Sequence, residues 1–298
     1  MELKGKSVSL VLGSGGARGL AHVGIIRELE SRGCKIQSIS GCSTGALIGA
    51  VYAAGKLDVF EEWVCELTKV DVMTLLDISW SSGGLVKGDR IINKLIDIVG
   101  DVLIEDLPIS FTAVAADVNN EKEVWLNSGK LFDAVRASIS LPLFFTPVSY
   151  KGSYLIDGGV LNPVPIAPTF QDDTDLTIAV NLAGGIEVVN ELPNNYDEAD
   201  DNVKLTSTIE KIQIKIKNFI NDLSDNSKEI KTQDWGAYNI ANQAFDAMQS
   251  TIARQKLAAY PPDIEIKIAR NACQLFEVYR AKEMIDLGRL KASEYLES

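Results

Sequence analysis

The chain of 298 residues contains a single histidine, His22. Any catalytic serine beyond residue 22 is thereby denied the hydrolase order of serine, acid, histidine, because no histidine remains downstream to complete it. Cysteine is scarce as well: Cys34, Cys42, Cys65 and Cys273 form no C-x-x-C pair. With one histidine beside them, a zinc site is not expected, and no metal or other cofactor is called for. Cysteines scattered in this way suit a reducing compartment. No uninterrupted apolar run reaches the roughly 18 residues of a spanning helix. The start, "MELKGKSVSLVLGSGG", lacks a signal-peptide core of usual length. Together these absences lead us to expect a cytoplasmic protein, at most peripheral to the inner face of the membrane. Positive charge is short too, with 29 Lys and Arg against 41 Asp and Glu and a net charge of −12. Such a chain repels phosphate backbones at long range, so nucleic acid is not an expected partner.

Hydrophobic residues make up 46% and charged residues 23%, which suits one large α/β domain with a substantial core. Residues 7–13, "SVSLVLG", form a β-rich run ending in glycine; residues 19–33 carry apolar residues at helical spacing; "KIQSIS" is a second strand and "TGALIGAVYAAG" a small-residue helix. This β-α-β-α alternation with short glycine turns predicts a parallel sheet covered by helices. Further strands are expected at 109–118, 123–129, 153–159, 175–182 and 261–269, and helices at 130–141 (stopped by Pro142), 206–223, 235–260 and 278–297. The stretch 187–201 holds six acidic residues and no Lys or Arg, and reads as a solvated loop. The chain is expected to be one domain over 1–298, with its motifs in about 7–182 and the C-terminal elements completing it.

Three constellations carry chemistry. "GSGGARG", Gly13–Gly19, lies between strand and helix, where glycines expose consecutive N–H groups at a helix N-terminus. That suits a dinucleotide pyrophosphate or the oxyanion of acyl transfer. A dinucleotide site wants an acid about 20 residues on, at the end of the second strand. Here that strand runs into "SGCSTG" with no acid, which favours the oxyanion. The second constellation, "GCSTG" (Gly41–Gly45), puts Ser43 between strand and helix, as a nucleophile elbow requires, although a plain serine N-cap would look the same. The third, "DGGVLNPVP", sets Asp157 at a strand end before Gly158 and Gly159, where a carboxylate faces the C-terminal edge of a parallel sheet; alone it would be an Asp-Gly turn. With no histidine downstream, the remaining arrangement is a dyad in which Asp157 takes the Ser43 proton. His22 fits better as a packed helix residue.

These blocks, with "DISWSSGGLVKGDRI" and "RASISLPLFFTPV" in the same order, resemble the bacterial patatin-like phospholipases, the group that includes the catalytic domain of neuropathy target esterase. The resemblance covers nearly the whole chain. It implies a three-layer α/β/α patatin-like fold with a central, mostly parallel sheet. It implies a serine acyl hydrolase of ester lipids (phospholipid, lysophospholipid or neutral ester) with Ser43 as nucleophile and Asp157 as base. Backbone N–H groups of the loop Gly15, Gly16, Ala17, Arg18 and Gly19 would stabilise the oxyanion, and Gly41, Gly45, Gly158 and Gly159 would support the motifs. Calcium dependence is not implied. A lipid acyltransferase, or a non-catalytic nucleotide-binding or regulatory protein using the glycine loop, is the alternative. The stretch Trp63–Val86, with Trp63, Trp80 and the glycines Gly83, Gly84 and Gly88, reads as core packing, or else as a mobile cover that brings the site into transient contact with a membrane surface.

Overall fold

A computed structural model describes residues 3–76, 86–187 and 237–297. Met1–Glu187 and Gln249–Ser298 make one compact unit, and Val188–Met248 a second. Of the second, the described part (237–248) is the first half of the helix Ala237–Ala259. The expectations for Trp80, Gly83, Gly84, the helix at 206–223 and nearly all of the acidic stretch lie outside the described residues.

The strands are β1 (Ser7–Leu12), β2 (Lys35–Cys42), β3 (Ser110–Asp117), β4 (Lys122–Leu126), β5 (Val148–Tyr150), β6 (Ser153–Asp157), β7 (Leu176–Gly184) and β8 (Ile264–Ala269). They form one sheet in the order β5-β6-β3-β2-β1-β7-β8, with β4 paired to β3 off that path. The run β3-β2-β1-β7-β8 is parallel; β4, β5 and β6 join antiparallel at one side. The helices are α1 (Ala21–Ser31), α2 (Thr44–Ala53), α3 (Leu57–Cys65), α4 (Lys69–Leu75), α5 (Asp89–Val99), α6 (Leu131–Ser138), α7 (Ala237–Ala259) and α8 (Ala281–Glu297).

Strand alternation sorts the core into two layers. Val8, Leu10 and Leu12 of β1 and Ile178, Val180 and Leu182 of β7 belong to the large cluster, packed with α1, α2 and α8. Val11 and Ala179 point the other way, to Val164, Ile166 and the α7 residues Ala253 and Leu257. Helices thus cover both faces, and the architecture is the expected α/β/α sandwich. Helix α2 has no polar stripe because it is buried from Gly45 to Val51.

Helix α6 ends at Ser138, short of the expected stop at Pro142. The Ser138 hydroxyl donates to the Val114 carbonyl of β3, and just beyond the helix the Ser140 hydroxyl turns back to the Arg136 carbonyl. The expected terminal helix splits into a short 3-10 turn, Val278–Arg280, and α8. Trp63 sits half-buried on α3, edge-on to Phe60 at 5.6 Å, in keeping with core packing. Gly88 precedes α5 with φ 74°, and a Cβ there would press on the Phe145 ring.

Helices α1 and α8 meet backbone to backbone. A Cβ at Gly24 would overlap the Ile285 carbonyl oxygen, and one at Gly288 the Ala21 carbonyl oxygen. No side-chain rotation relieves either clash. Gly288→Leu is expected to destabilise the protein by about 3 kcal/mol or more and to lower its melting temperature by several degrees. A Gly288→Leu variant melting with the wild type would show that α8 does not dock on α1 in solution.

Candidate active site

Strand β4 pairs with Ala113–Asp117 along one edge of β3. The opposite edge is shared. Strand β2 occupies it up to Val114, which faces Cys42, and β6 occupies it from Ala115, which faces Asp157. Because β2 runs parallel to β3 and β6 antiparallel, the two strands meet end-on, both at their C-termini. Their final residues lie opposite adjacent β3 positions, about 3.4 Å apart along the strand. The next backbone steps deliver Ser43 on one side and the Gly158–Gly159 turn on the other.

Ser43 has φ 56° and ψ −124°, a left-handed conformation that costs a non-glycine residue roughly 1–3 kcal/mol. The turn is tight enough that a Cβ at Gly45 would strike the Leu12 carbonyl and one at Gly41 the backbone of Gly45 and Ala46. Ser43 stands at the N-cap of α2, yet its hydroxyl does not cap the helix. It donates instead to Oδ2 of Asp157 at 2.5 Å. The Ser43 amide donates to Ser138 Oγ at 2.9 Å, and Ser138 in turn donates to the Val114 carbonyl. One side chain thus pins the elbow to the strand on which Asp157 is registered. The Asp157 amide donates to the Ser140 carbonyl at 2.9 Å, so the end of α6 holds both halves of the pair. Arg136 secures that end, donating to Ser140 Oγ and to the carbonyls of Lys87 and Thr146.

Asp157 is 1% exposed and Ser43 8%. Burial pushes the Asp157 carboxyl up to about 6, against three donors that favour its ionised form: the Ser43 hydroxyl, the Gly159 amide at 2.8 Å and, weakly, the Cys42 thiol. Burial and the nearby carboxylates of Asp157 and Glu123 hold the Cys42 thiol well above its usual range, so it stays a donor. Gly158 fits where it does because a Cβ would collide with the Val114 carbonyl.

The glycine loop borders this pair. Gly19 packs on Thr44, next to Ser43, and Gly159 lies against Ser14 Oγ. The loop is fixed by its own backbone, Gly13 N–H to the Val180 carbonyl and Ser14 N–H to the Pro163 carbonyl. The buried Arg18 donates through Nε to the Gly15 carbonyl at 3.2 Å and through Nη1 to the Arg270 carbonyl. A peptide's C=O and N–H point in opposite directions, so turning the Gly15 carbonyl to Arg18 turns the Gly16 N–H away from it. The Gly15 and Gly16 amides make no hydrogen bond among the described residues. The Ala17 amide is already engaged, donating to the Leu275 carbonyl at 2.9 Å. Of the five loop residues singled out in the sequence, Ala17 therefore has its donor spent on holding the loop.

His22 is fully buried at the start of α1, and its Nε2–H donates to the Gly13 carbonyl at 2.9 Å. Burial drives its pKa down to about 4, so the ring is neutral near pH 7. Its place is under the glycine loop, bracing it. Ser138, Ser140 and Arg136 were not singled out in the sequence. The only signal for them is the paired serines in "RASISL", and their roles become visible only once β3 and α6 are in place.

Residues 10–170 match the family model described as patatin-like phospholipase. An NTE family protein of Mycobacterium tuberculosis is 36% identical, over 98% of this chain and 91% of that protein. Neuropathy target esterase sws of Drosophila melanogaster is 33% identical over 59% of this chain and 14% of its own length. Lysophospholipase NTE1 of Pyricularia oryzae is 32% identical over 66% of this chain and 13% of its own. With more than half of its length inside the family model and a near full-length relative at 36% identity, the chain belongs to the patatin-like phospholipase family.

Proposed function

We propose that the chain is a serine acyl hydrolase of lipid carboxylic esters working through a Ser43–Asp157 dyad. The observation that carries the reading is the Ser43 hydroxyl donating to a buried carboxylate at 2.5 Å from a strained elbow where an N-capping hydroxyl would otherwise turn to the helix. In this scheme Ser43 attacks the ester carbonyl as Asp157 takes its proton. Charge on the tetrahedral oxygen is met by loop amides, with Gly15 and Gly16 the donors left uncommitted. Asp157 returns the proton to the leaving alcohol. It then draws one from water, which releases the fatty acid and restores Ser43. Family membership supports a lipid ester as substrate. The Leu275 side chain pressed on the loop at Gly16 suits an acyl group better than a nucleotide phosphate.

The test is a panel of ester lipids and thioesters, with a fluorophosphonate label that should attach at Ser43. The base must be ionised to accept a proton, and its carboxyl titrates at about 6. We therefore expect kcat/KM to climb about tenfold per pH unit below pH 6 and to level above it. A flat profile between pH 5 and 8 would remove Asp157 as the base.

A further inference from the structure

We propose that Leu143, Phe144, Leu275 and Phe276 form the subsite for the acyl chain of the ester, an inference that rests on the function proposed above. Two segments far apart in sequence, one bonded to Asp157 and the other to the glycine loop, meet through one ring pair. One follows α6. Ser140, which accepts the Asp157 amide, is succeeded by "LPLFF", in which Phe145 is buried and Phe144 is half-buried. The other precedes α8. Leu275 fills the space beside Gly16, its carbonyl holds the Ala17 amide, and Phe276 follows it. The rings of Phe144 and Phe276 pack with centroids 4.3 Å apart at 32°. The apolar surface that starts at the candidate oxyanion amides thus continues, through one ring pair, to the segment that holds Asp157. A carbonyl placed between Ser43 and those amides leads its acyl chain onto this surface.

Leu143 supplies a second, separate observation. It is 71% exposed, and its φ is 66°. Left-handed backbone is ordinary for glycine or asparagine and strained for leucine. A leucine here bears the strain without the burial that usually rewards an apolar side chain. An acyl chain lying against it supplies that burial, and no polar or glycine residue in its place would do so.

The experiment uses p-nitrophenyl acetate, butyrate and octanoate below their aggregation limits, with the whole chain. In the wild type, kcat/KM should rise by up to about fourfold for each added methylene that is buried. In Phe276→Ala and Phe144→Ala, the octanoate-to-acetate ratio should fall at least tenfold, while Phe276→Leu, which keeps an apolar wall, should restore most of it. Leu143→Asn should lower the same ratio and raise the melting temperature, because asparagine accepts the backbone that leucine resists. Unchanged ratios in folded Phe276→Ala and Phe144→Ala, or equal losses on acetate and octanoate, would overturn the subsite. Failure of the underlying function looks different: Ser43→Ala would then hydrolyse acetate as fast as the wild type.

Discussion

Ser43→Ala and Asp157→Asn should each lower ester turnover by at least about a thousandfold, and the double variant should be little worse than either. In the proposed dyad the two side chains act on one proton, so removing either end of the 2.5 Å contact should stop its transfer. His22→Gln should keep most of its activity if it folds, since His22 serves the Gly13 carbonyl and is neutral near pH 7. Steady-state kinetics on a soluble ester checks all four variants; a folded His22→Gln as inactive as Ser43→Ala would end the two-residue mechanism. Stability should move the other way. The folded protein holds the Asp157 proton up to about pH 6, whereas an unfolded aspartate loses it near 4. The native state therefore binds more protons between these values. The stability this contributes is complete below the unfolded pKa and is lost as pH rises through about 6. Asparagine has no charge to bury, so at pH 7.5 Asp157→Asn should be more stable than the wild type by at most about 3 kcal/mol, and should melt at a higher temperature. A variant that is both dead and more stable is the signature of a carboxylate kept for chemistry.

Gly16→Val should cut kcat by about a hundredfold or more with a smaller change in KM. Two constraints meet at this residue. Its φ of 57° disfavours a β-branched side chain, and a Cβ would press on Leu275. The backbone must yield, and the Gly16 amide moves with it. An amide that binds developing charge matters more in the transition state than in the substrate complex, hence the effect on kcat. Circular dichroism separates a displaced amide from an unfolded chain. If a folded Gly16→Val turned over like the wild type, the loop would not be the oxyanion site.

Much of the framework was legible because buried parallel strands and their glycine turns write themselves plainly in sequence. "SVSLVLG" and "DLTIAVNL" are short apolar-rich runs of the length a buried strand needs, "KIQSIS" is a short run of the same length that leads into the glycine turn, and all three lie in the sheet. The helix Lys69–Leu75 lies inside the stretch 63–86, which tryptophans and glycines drew toward a choice between core and cover, whereas Leu57–Cys65 and Asp89–Val99 were not expected although Leu57, Phe60 and Val64, and Ile92, Leu95 and Val99, recur at helical spacing. The three-residue strand Val148–Tyr150 carries too little pattern to be seen, and its place depends on pairing with β6. Within the site, each residue type announced a capacity and the fold selected the partner. Ser43 looks equally like a helix cap until the register of β6 brings Asp157 to it. The Ala17 amide looks as available as its neighbours until Leu275 arrives from near the other end of the chain.

If the dyad works as proposed, the end-on meeting of β2 and β6 on one edge of β3 should make catalytic competence a late event in renaturation. Ser43 and Asp157 are joined by a long chain segment, but what sets their separation is a third strand that must already pair with both. Contacts of such wide sequence separation form slowly and together with the surrounding sheet. No fragment ending before Asp157 can hold the geometry. On heating, loss of turnover should therefore coincide with the cooperative loss of sheet. During refolding, activity should return in the slowest phase that restores native β-structure, and the enzyme reports its own global integrity through its rate.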